Sequence, residues 1–211
     1  SLQWYRNVLC EAQTAEARRR RVDPYDLITA DAAAAPVGSH GLYFLPYLTG
    51  ERTPHADPNA RGCWVGLSNM HRRSELARSV MEGITYAMRD SLEIIRGMGV
   101  PVKEIRATGG GARSAFWRQM QADVYGQAVC TINAAEGPAY GAALLAGVGA
   151  GVWADVPEAY DAVVRVGAAT RPDRRRAAAY NRRYPQFQAL YRSLRDDFAR
   201  MAALELDAHG A

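Results

Sequence analysis

The order of elements along this chain predicts an α/β layered fold. Two features carry that expectation. The run KEIRAT reads as a strand that ends in Gly109, Gly110 and Gly111 and feeds a helix from about Ser114 to Tyr125. A second buried strand, AVCTIN, is followed by the small-residue helix EGPAYGAALLAGVGAG. Two long helical patterns flank this block, and neither an internal repeat nor a low-complexity linker divides the chain.

From the start, SLQWYRNVLCEAQ places Leu2, Tyr5, Val8 and Leu9 on one stripe and predicts an amphipathic helix. Asp23 and Pro24 have the chemistry of an N-cap and a first helical residue, so DPYDLITADAAAAP predicts a helix that stops near Pro36. GLYFLPYL and CWVGL predict short strands around a polar loop, TGERTPHADPNARG. Ser74 then reads as the cap of a helix with Leu76, Val80, Met81, Ile84, Met88, Leu92 and Ile95 at three- and four-residue steps, ending at Gly97–Gly99. VPEAYDAVVRV predicts a short helix or turn leading to a strand. Arg174 to Leu204 predicts a long helix with Tyr180, Tyr184, Phe187, Leu190, Tyr191 and Leu194 on its apolar side.

With 211 residues, 48% of them hydrophobic and 23% charged, the chain can bury a sizeable core. Its net charge of +4 comes with a single lysine, Lys103, and with arginines clustered at Arg18–Arg21 and Arg171–Arg183. Those clusters lie in or beside helical sequence and read as solvated faces, and no nucleic-acid signature accompanies them. Cys10, Cys63 and Cys130 are too far apart for a local metal pair or a disulfide framework, which fits a reducing cytoplasm. The four histidines lack ligand spacing, so no metal site is expected. No apolar run is long enough for a membrane span. The chain begins on Ser1, directly inside helical sequence, as a piece of a longer protein would.

The glycine run poses the chemical question. A strand that ends in glycines and opens a helix leaves backbone N–H groups free, and without Cβ atoms a ligand can come close to them. The helix dipole adds positive charge there, which suits a phosphate, with Arg113 as an added cation and Ser114 as a cap. A tight crossover without any ligand is the alternative. The run is neither the GxGxxG dinucleotide fingerprint nor a P-loop, so spacing leaves both readings open.

GGGARSAFWRQMQAD and GLYFLPYLTGERTPHADPNARG together resemble the carboxy-terminal domain of the FGGY carbohydrate kinases, the xylulokinase branch in particular. GCWVGLSNMHRRSELARSVME is similar to a second signature of that family, and EGPAYGAALLAG to its late small-residue helix. The similarity runs from Ser1 to about Leu204, with residues 205–211 as a tail. It implies an actin-like, ribonuclease-H-like domain that supplies much of an ATP site, in an enzyme that is a homodimer and lacks its first strands here.

The resemblance assigns Gly109, Gly110, Gly111, Ala112 and Ser114 to the nucleotide, with Trp117 packing beneath the turn or touching adenine. Glu51, Arg52, Thr53 and His55 match a loop at the cleft rim, where an ion pair of Glu51 with Arg52 or Arg61 is the plainer reading. Glu136 and Gly137 border the nucleotide or the cleft rim, with Glu136 as a helix cap or first-turn carboxylate in the plainer reading. Where glycerol kinases place an asparagine against adenine, this chain has Ala115. The family's DxGT phosphate motif does not occur, and no carboxylate fits the general base. The catalytic base, most of the sugar site and the donors for Mg²⁺ are therefore expected outside this chain, which alone would not phosphorylate sugar. The expected substrate is D-xylulose; ribulose, glycerol or gluconate, or a non-catalytic nucleotide-binding or dimerisation module, are the alternatives.

Overall fold

The computed structural model describes residues 1–133 and 137–209, with side chains up to Leu204. The chain forms two compact units, Ser1–Pro101 with Asp173–Ala211, and Val102–Pro172.

In the first unit the opening helix is broken. Cys10 leaves helical geometry (φ −119°, ψ 39°) and separates α1 (Leu2–Leu9) from α2 (Glu11–Arg20). Only Tyr5 of the expected stripe is fully buried; Val8 and Leu9 are exposed, and the break brings Cys10 inside instead. Helix α3 (Pro24–Ala34) starts as expected, with Asp23 accepting the Tyr25 N–H at 2.9 Å and Pro24 in the first turn. After a 3₁₀ turn at Ser39–Gly41, β1 (Tyr43–Leu45) pairs antiparallel with β2 (Cys63–Val65), Phe44 opposite Trp64.

Helix α4 (Arg73–Gly97) is the centre of this unit. Ser74 is not its cap. Glu75 reaches back to accept the Arg72 N–H at 3.0 Å, and Ser74 donates to the same carboxylate at 2.8 Å. Although burial opposes it, these hydrogen bonds hold the Glu75 carboxyl below its ordinary range. Val80 and Met81 are buried as the periodicity predicts, but Met88 and Ile95 are exposed. The positions that go inside include Arg78, Ser79, Glu82, Thr85 and Asp90.

They are tolerated because they are paired. Arg78 Nε lies 2.8 Å from Glu82 Oε1, and its other nitrogens donate to the Ala35 carbonyl at 2.7 Å and to Tyr180 Oη at 2.9 Å. The Gly38 N–H and the Tyr180 and Ser39 hydroxyls all donate to Glu82. On another side, α4 approaches β1 so closely that a Cβ at Gly83 would lie 2.1 Å from the Phe44 carbonyl oxygen. Trp64 Nε1 donates to Ser79 Oγ at 3.0 Å, and its ring packs tilted against Phe44 with centroids 4.8 Å apart, closing the same face.

Helix α9 (Arg174–His209) buries Tyr180, Tyr184, Phe187 and Tyr191, while Leu190 and Leu194 are half-buried. It runs on past Leu204, and the apolar stripe continues at Phe198 and Ala202.

The second unit is a three-stranded sheet with short helices. Strand β3 (Ile105–Ala107) pairs parallel with β4 (Val129–Ile132), and β5 (Val166–Thr170) joins β4 antiparallel. Asn133 ties the end of β4 to the start of β5: its side chain accepts the Arg165 N–H at 2.9 Å and donates to the Val163 carbonyl at 2.9 Å. Helix α6 (Ala115–Tyr125) presents Met120, Ala122, Val124 and Tyr125 to the interior. Helix α7 (Gly137–Gly149) buries none of its side chains. It is held to α8 (Val156–Val163) by Tyr140, whose hydroxyl donates to the Val163 carbonyl at 3.1 Å. Gly147 also lies against Trp153. No helix among the described residues is long and apolar enough to cross a membrane.

Candidate functional site

In the second unit, β3 and β4 run parallel, so their carboxyl ends lie on one side of the sheet. Crevices outside the carboxyl ends of parallel strands are where α/β sheets place ligands. The glycine run stands there. It is not a loose loop: Gly110–Arg113 form a single helical turn, α5, between β3 and α6. Gly109 enters that turn at φ 72°, ψ −163°, a conformation that side chains disfavour.

Cβ atoms at Gly109 or Gly110 would meet nothing within 4 Å among the described residues, so the backbone at the turn's start is open on that side. Gly111 differs. A Cβ there would touch the Trp117 ring at 3.5 Å, so Trp117 packs beneath the turn as one of its two expected roles requires. Ala112 points inward and is buried.

The far end of the turn is closed by a residue that sequence reasoning overlooked. The Arg118 guanidinium donates to the Ala112 carbonyl and, at 3.0 Å, to the Arg113 carbonyl. Those carbonyls are orphaned where α5 gives way to α6, and Arg118 satisfies them one turn into the next helix. Ser114 caps α6 by accepting the Trp117 N–H at 3.2 Å. Its lone pair is therefore engaged inside the protein, while its hydroxyl proton stays free to be donated. Arg113 is exposed and its side chain has no partner among the described residues.

Gly137 comes to the same place. A Cβ there would lie 2.7 Å from Thr108 Oγ1, so the start of α7 abuts the residue just before the glycine run. The end of β3, the start of α5 and the start of α7 thus converge. Glu136 lies outside the described residues. On β3 itself, Arg106 pairs with Glu104 at 2.6 Å and lies over the Tyr160 ring, and its hydrogen bond holds the Glu104 carboxyl below its ordinary range.

Glu51 and Arg52 belong to the first unit. They border a shallow groove of about 750 Å³ with Thr49, Thr53, Ala56 and Pro58. The ion pair expected of Glu51 does not form. Its carboxylate accepts the Thr53 N–H at 3.0 Å, and Arg61 donates instead to the Pro58 and Ala60 carbonyls. The loop is shaped by its backbone, through reciprocal N–H to carbonyl bonds between Glu51 and Asp57 at 2.8 and 2.7 Å. Arg52 is exposed and makes no side-chain bond among the described residues.

His55 stacks on Tyr191 with ring centroids 3.5 Å apart, and Tyr191 donates to Asp57 at 2.9 Å. Burial, with Asp57 as acceptor, pushes the Tyr191 hydroxyl up to about 12. Among the described residues no group of three His, Cys, Asp or Glu side chains could hold a metal ion.

Comparison with known proteins gives this geometry a context. The model of the FGGY family of carbohydrate kinases, C-terminal domain, matches residues 1–150. A xylulose kinase of Staphylococcus epidermidis is 39% identical over 161 residues, which are 76% of this chain and 32% of that protein. A gluconokinase of Bacillus licheniformis is 34% identical over 206 residues, 95% of this chain and 39% of the relative. The crystal structure of a ligand-bound xylulose kinase from Lactobacillus acidophilus superposes with a TM-score of 0.78 at 32% identity, covering 95% of this chain and 39% of that one. The chain thus spans between about a third and two fifths of the length of these proteins.

Proposed function

This chain belongs to the FGGY family of carbohydrate kinases and has the actin-like carboxy-terminal fold of that family, and from that premise we propose that it forms the nucleotide-binding half of an ATP-dependent sugar kinase. The substrate in this reading is D-xylulose, converted to D-xylulose 5-phosphate. One observation carries the nucleotide assignment. The backbone at Gly109 and Gly110 opens to solvent at the carboxyl ends of two parallel strands, beside the start of α7.

Phosphoryl transfer is achieved by positioning and charge stabilisation more than by covalent participation of the protein. The work of this half is to hold the donor. The N–H groups at the start of α5 present positive charge to a phosphate, and the exposed Arg113 stands by as a cation. Ser114 can donate its hydroxyl proton. Ala115 has no side-chain donor or acceptor for a purine, so adenine recognition falls to backbone groups. Trp117 fixes the turn from below, and Arg118 locks its far end.

No three-ligand cluster occurs among the described residues, and Mg²⁺ on a nucleotide needs only one or two protein carboxylates. In this reading the metal is held by the nucleotide and the remainder of the kinase, which also brings the general base and most of the sugar site. The fragment alone does not phosphorylate sugar. The whole enzyme is a cytoplasmic homodimer, which sedimentation of the full-length protein checks.

The test uses the full-length enzyme with ATP and Mg²⁺ and a panel of xylulose, ribulose, glycerol and gluconate. Xylulose should give the highest kcat/KM. Turnover of gluconate ahead of xylulose would move the assignment to the second reading, which the similarity to a gluconokinase favours. Turnover of none would leave a non-catalytic nucleotide-binding or dimerisation module. Gly110→Val isolates the donor site, because the protein itself leaves that space empty. It should raise the KM for ATP about tenfold or more, some 1.4 kcal/mol of binding, and leave the KM for the sugar unchanged.

A further inference from the structure

Three buried side-chain polar atoms of the first unit have no hydrogen-bond partner among the described residues: Tyr47 Oη, His55 Nε2 and Asp90 Oδ2. Tyr47 is 1% exposed and Asp90 4%. Buried polar groups in folded proteins are almost always satisfied, and a set of orphans in one place points to something that satisfies them.

They are in one place. The edge of Tyr47 meets the His55 ring at 5.7 Å and the Tyr191 ring at 5.6 Å, so the three rings form one cluster. Asp90 exerts the strongest charge influence on both Tyr47 and His55. Its orientation is fixed from the other side: Oδ1 accepts from the Tyr184 hydroxyl and from Gln188 Nε2 at 2.9 Å, which leaves Oδ2 as the free acceptor.

We infer that Tyr47, His55 and Asp90 form a closed site for one internal water molecule, which ties the loop carrying Glu51 and Arg52 to helices α4 and α9. The count of donors and acceptors closes. Water accepts the Tyr47 O–H and donates its two protons to Asp90 Oδ2 and to Nε2 of a neutral His55 protonated on Nδ1. Three partners is the usual number for a buried water. A direct hydrogen bond between any two of the three atoms would leave the third unsatisfied, and a metal ion lacks its ligand cluster among the described residues.

His55 is thereby a positioning residue. The water and the Tyr191 stack hold it, and the backbone bonds between Glu51 and Asp57 carry that anchor to the groove. This second step rests on the reading of the loop as a rim of the kinase cleft; the water site does not.

The experiments separate the two. A high-resolution crystal structure of the full-length kinase should show one isolated water within about 2.7–3.2 Å of all three atoms. Absence of density there, a direct His55–Asp90 hydrogen bond, or a cation with a fuller ligand shell would overturn the site. In hydrogen exchange, Tyr47→Phe and His55→Phe should each speed exchange at the Glu51 and Asp57 amides by about tenfold. The double variant should be no faster than either single one, because both remove the same water. Unchanged or additive rates would overturn the site independently of any activity. For the positioning role, His55→Phe should raise a substrate KM several-fold at constant kcat, with recovery in His55→Gln. An unchanged KM alongside altered exchange would overturn that role alone.

Discussion

Helix α4 carries Glu75, Arg78, Glu82 and Asp90 into its buried face, whereas α7, made of apolar and small residues apart from Tyr140, buries none of its side chains. Apolar content therefore does not decide which helix is internal. What decides it is whether neighbouring elements meet the side chains with matching chemistry. Around α4 they do: Gly38, Ser39 and Tyr180 arrive at Glu82, and Tyr184 and Gln188 at Asp90. Around α7 the contacts among the described residues are made by Tyr140 to Val163, by Gly147 to Trp153 and by Gly137 to Thr108. The first unit derives its specificity from buried pairs, and the second leaves its backbone accessible where the glycines stand.

The largest expected effect comes from breaking the best-paired group. Glu82→Ala leaves the Arg78 guanidinium, itself 5% exposed, without its counter-ion. Removing one partner of a buried pair costs about 3–5 kcal/mol. Leu145→Ser on α7, at a site 61% exposed, should stay within about 0.5 kcal/mol. Chemical denaturation of the two variants checks both numbers, and equal losses would break the contrast.

What was legible in the sequence follows the same division. Local chemistry was readable: the Asp23 cap, the strand–glycine–helix passage at Ala107–Ala115, and the aromatic stripe of α9 each depend on neighbours in sequence. Long-range chemistry was not. Nothing near Gly83 in sequence announces that the Phe44 carbonyl lies against it. The Tyr47, His55 and Asp90 cluster joins residues from a loop and a distant helix. The Ser74 cap failed because the helix starts one residue earlier, at Arg73, where Glu75 accepts the Arg72 N–H and Ser74 donates to that carboxylate, and Met88 and Ile95 are exposed where periodicity alone would bury them. At the candidate site the openness of Gly109 and Gly110 accords with the reading of close approach by a ligand, but Arg118, one turn on, gave no sign that it would close the carbonyl end of the turn.

A second comparison sets two helical glycines against each other. Gly83→Ala puts a methyl 2.1 Å from a carbonyl oxygen of β1, which neither helix nor strand can yield to cheaply. A loss of about 1–3 kcal/mol is expected. Gly141→Ala on α7 meets nothing within 4 Å and relieves the entropic cost of glycine in a helix, so it should stabilise by about 0.5–1 kcal/mol. Thermal unfolding should therefore move in opposite directions for the same chemical change. A gain at Gly83 would show that α4 and β1 do not pack as closely as the structure places them.

The smallest effect is one of pH, and it sharpens the contrast because α7 has no acid or base of its own in this range. His55 is faced by Glu51 and Asp57 from its loop, Asp90 from α4 and Arg192 from α9. Burial outweighs the carboxylates and lowers its pKa below the ordinary 6.5. The unfolded chain then takes up a proton at higher pH than the folded one. Stability should fall as pH drops through about 6.5 towards the lowered value, then level off with respect to this group once both states are protonated. In His55→Phe the ring stack on Tyr191 is kept and the titration is gone, so the slope between pH 7 and 5 should flatten by the share that His55 supplies. A slope of opposite sign in the native protein would mean that the carboxylates win over burial. His55 would then hold its proton more tightly in the fold than in the unfolded chain, and the neutral ring that hydrogen-bonds an internal water would be disfavoured.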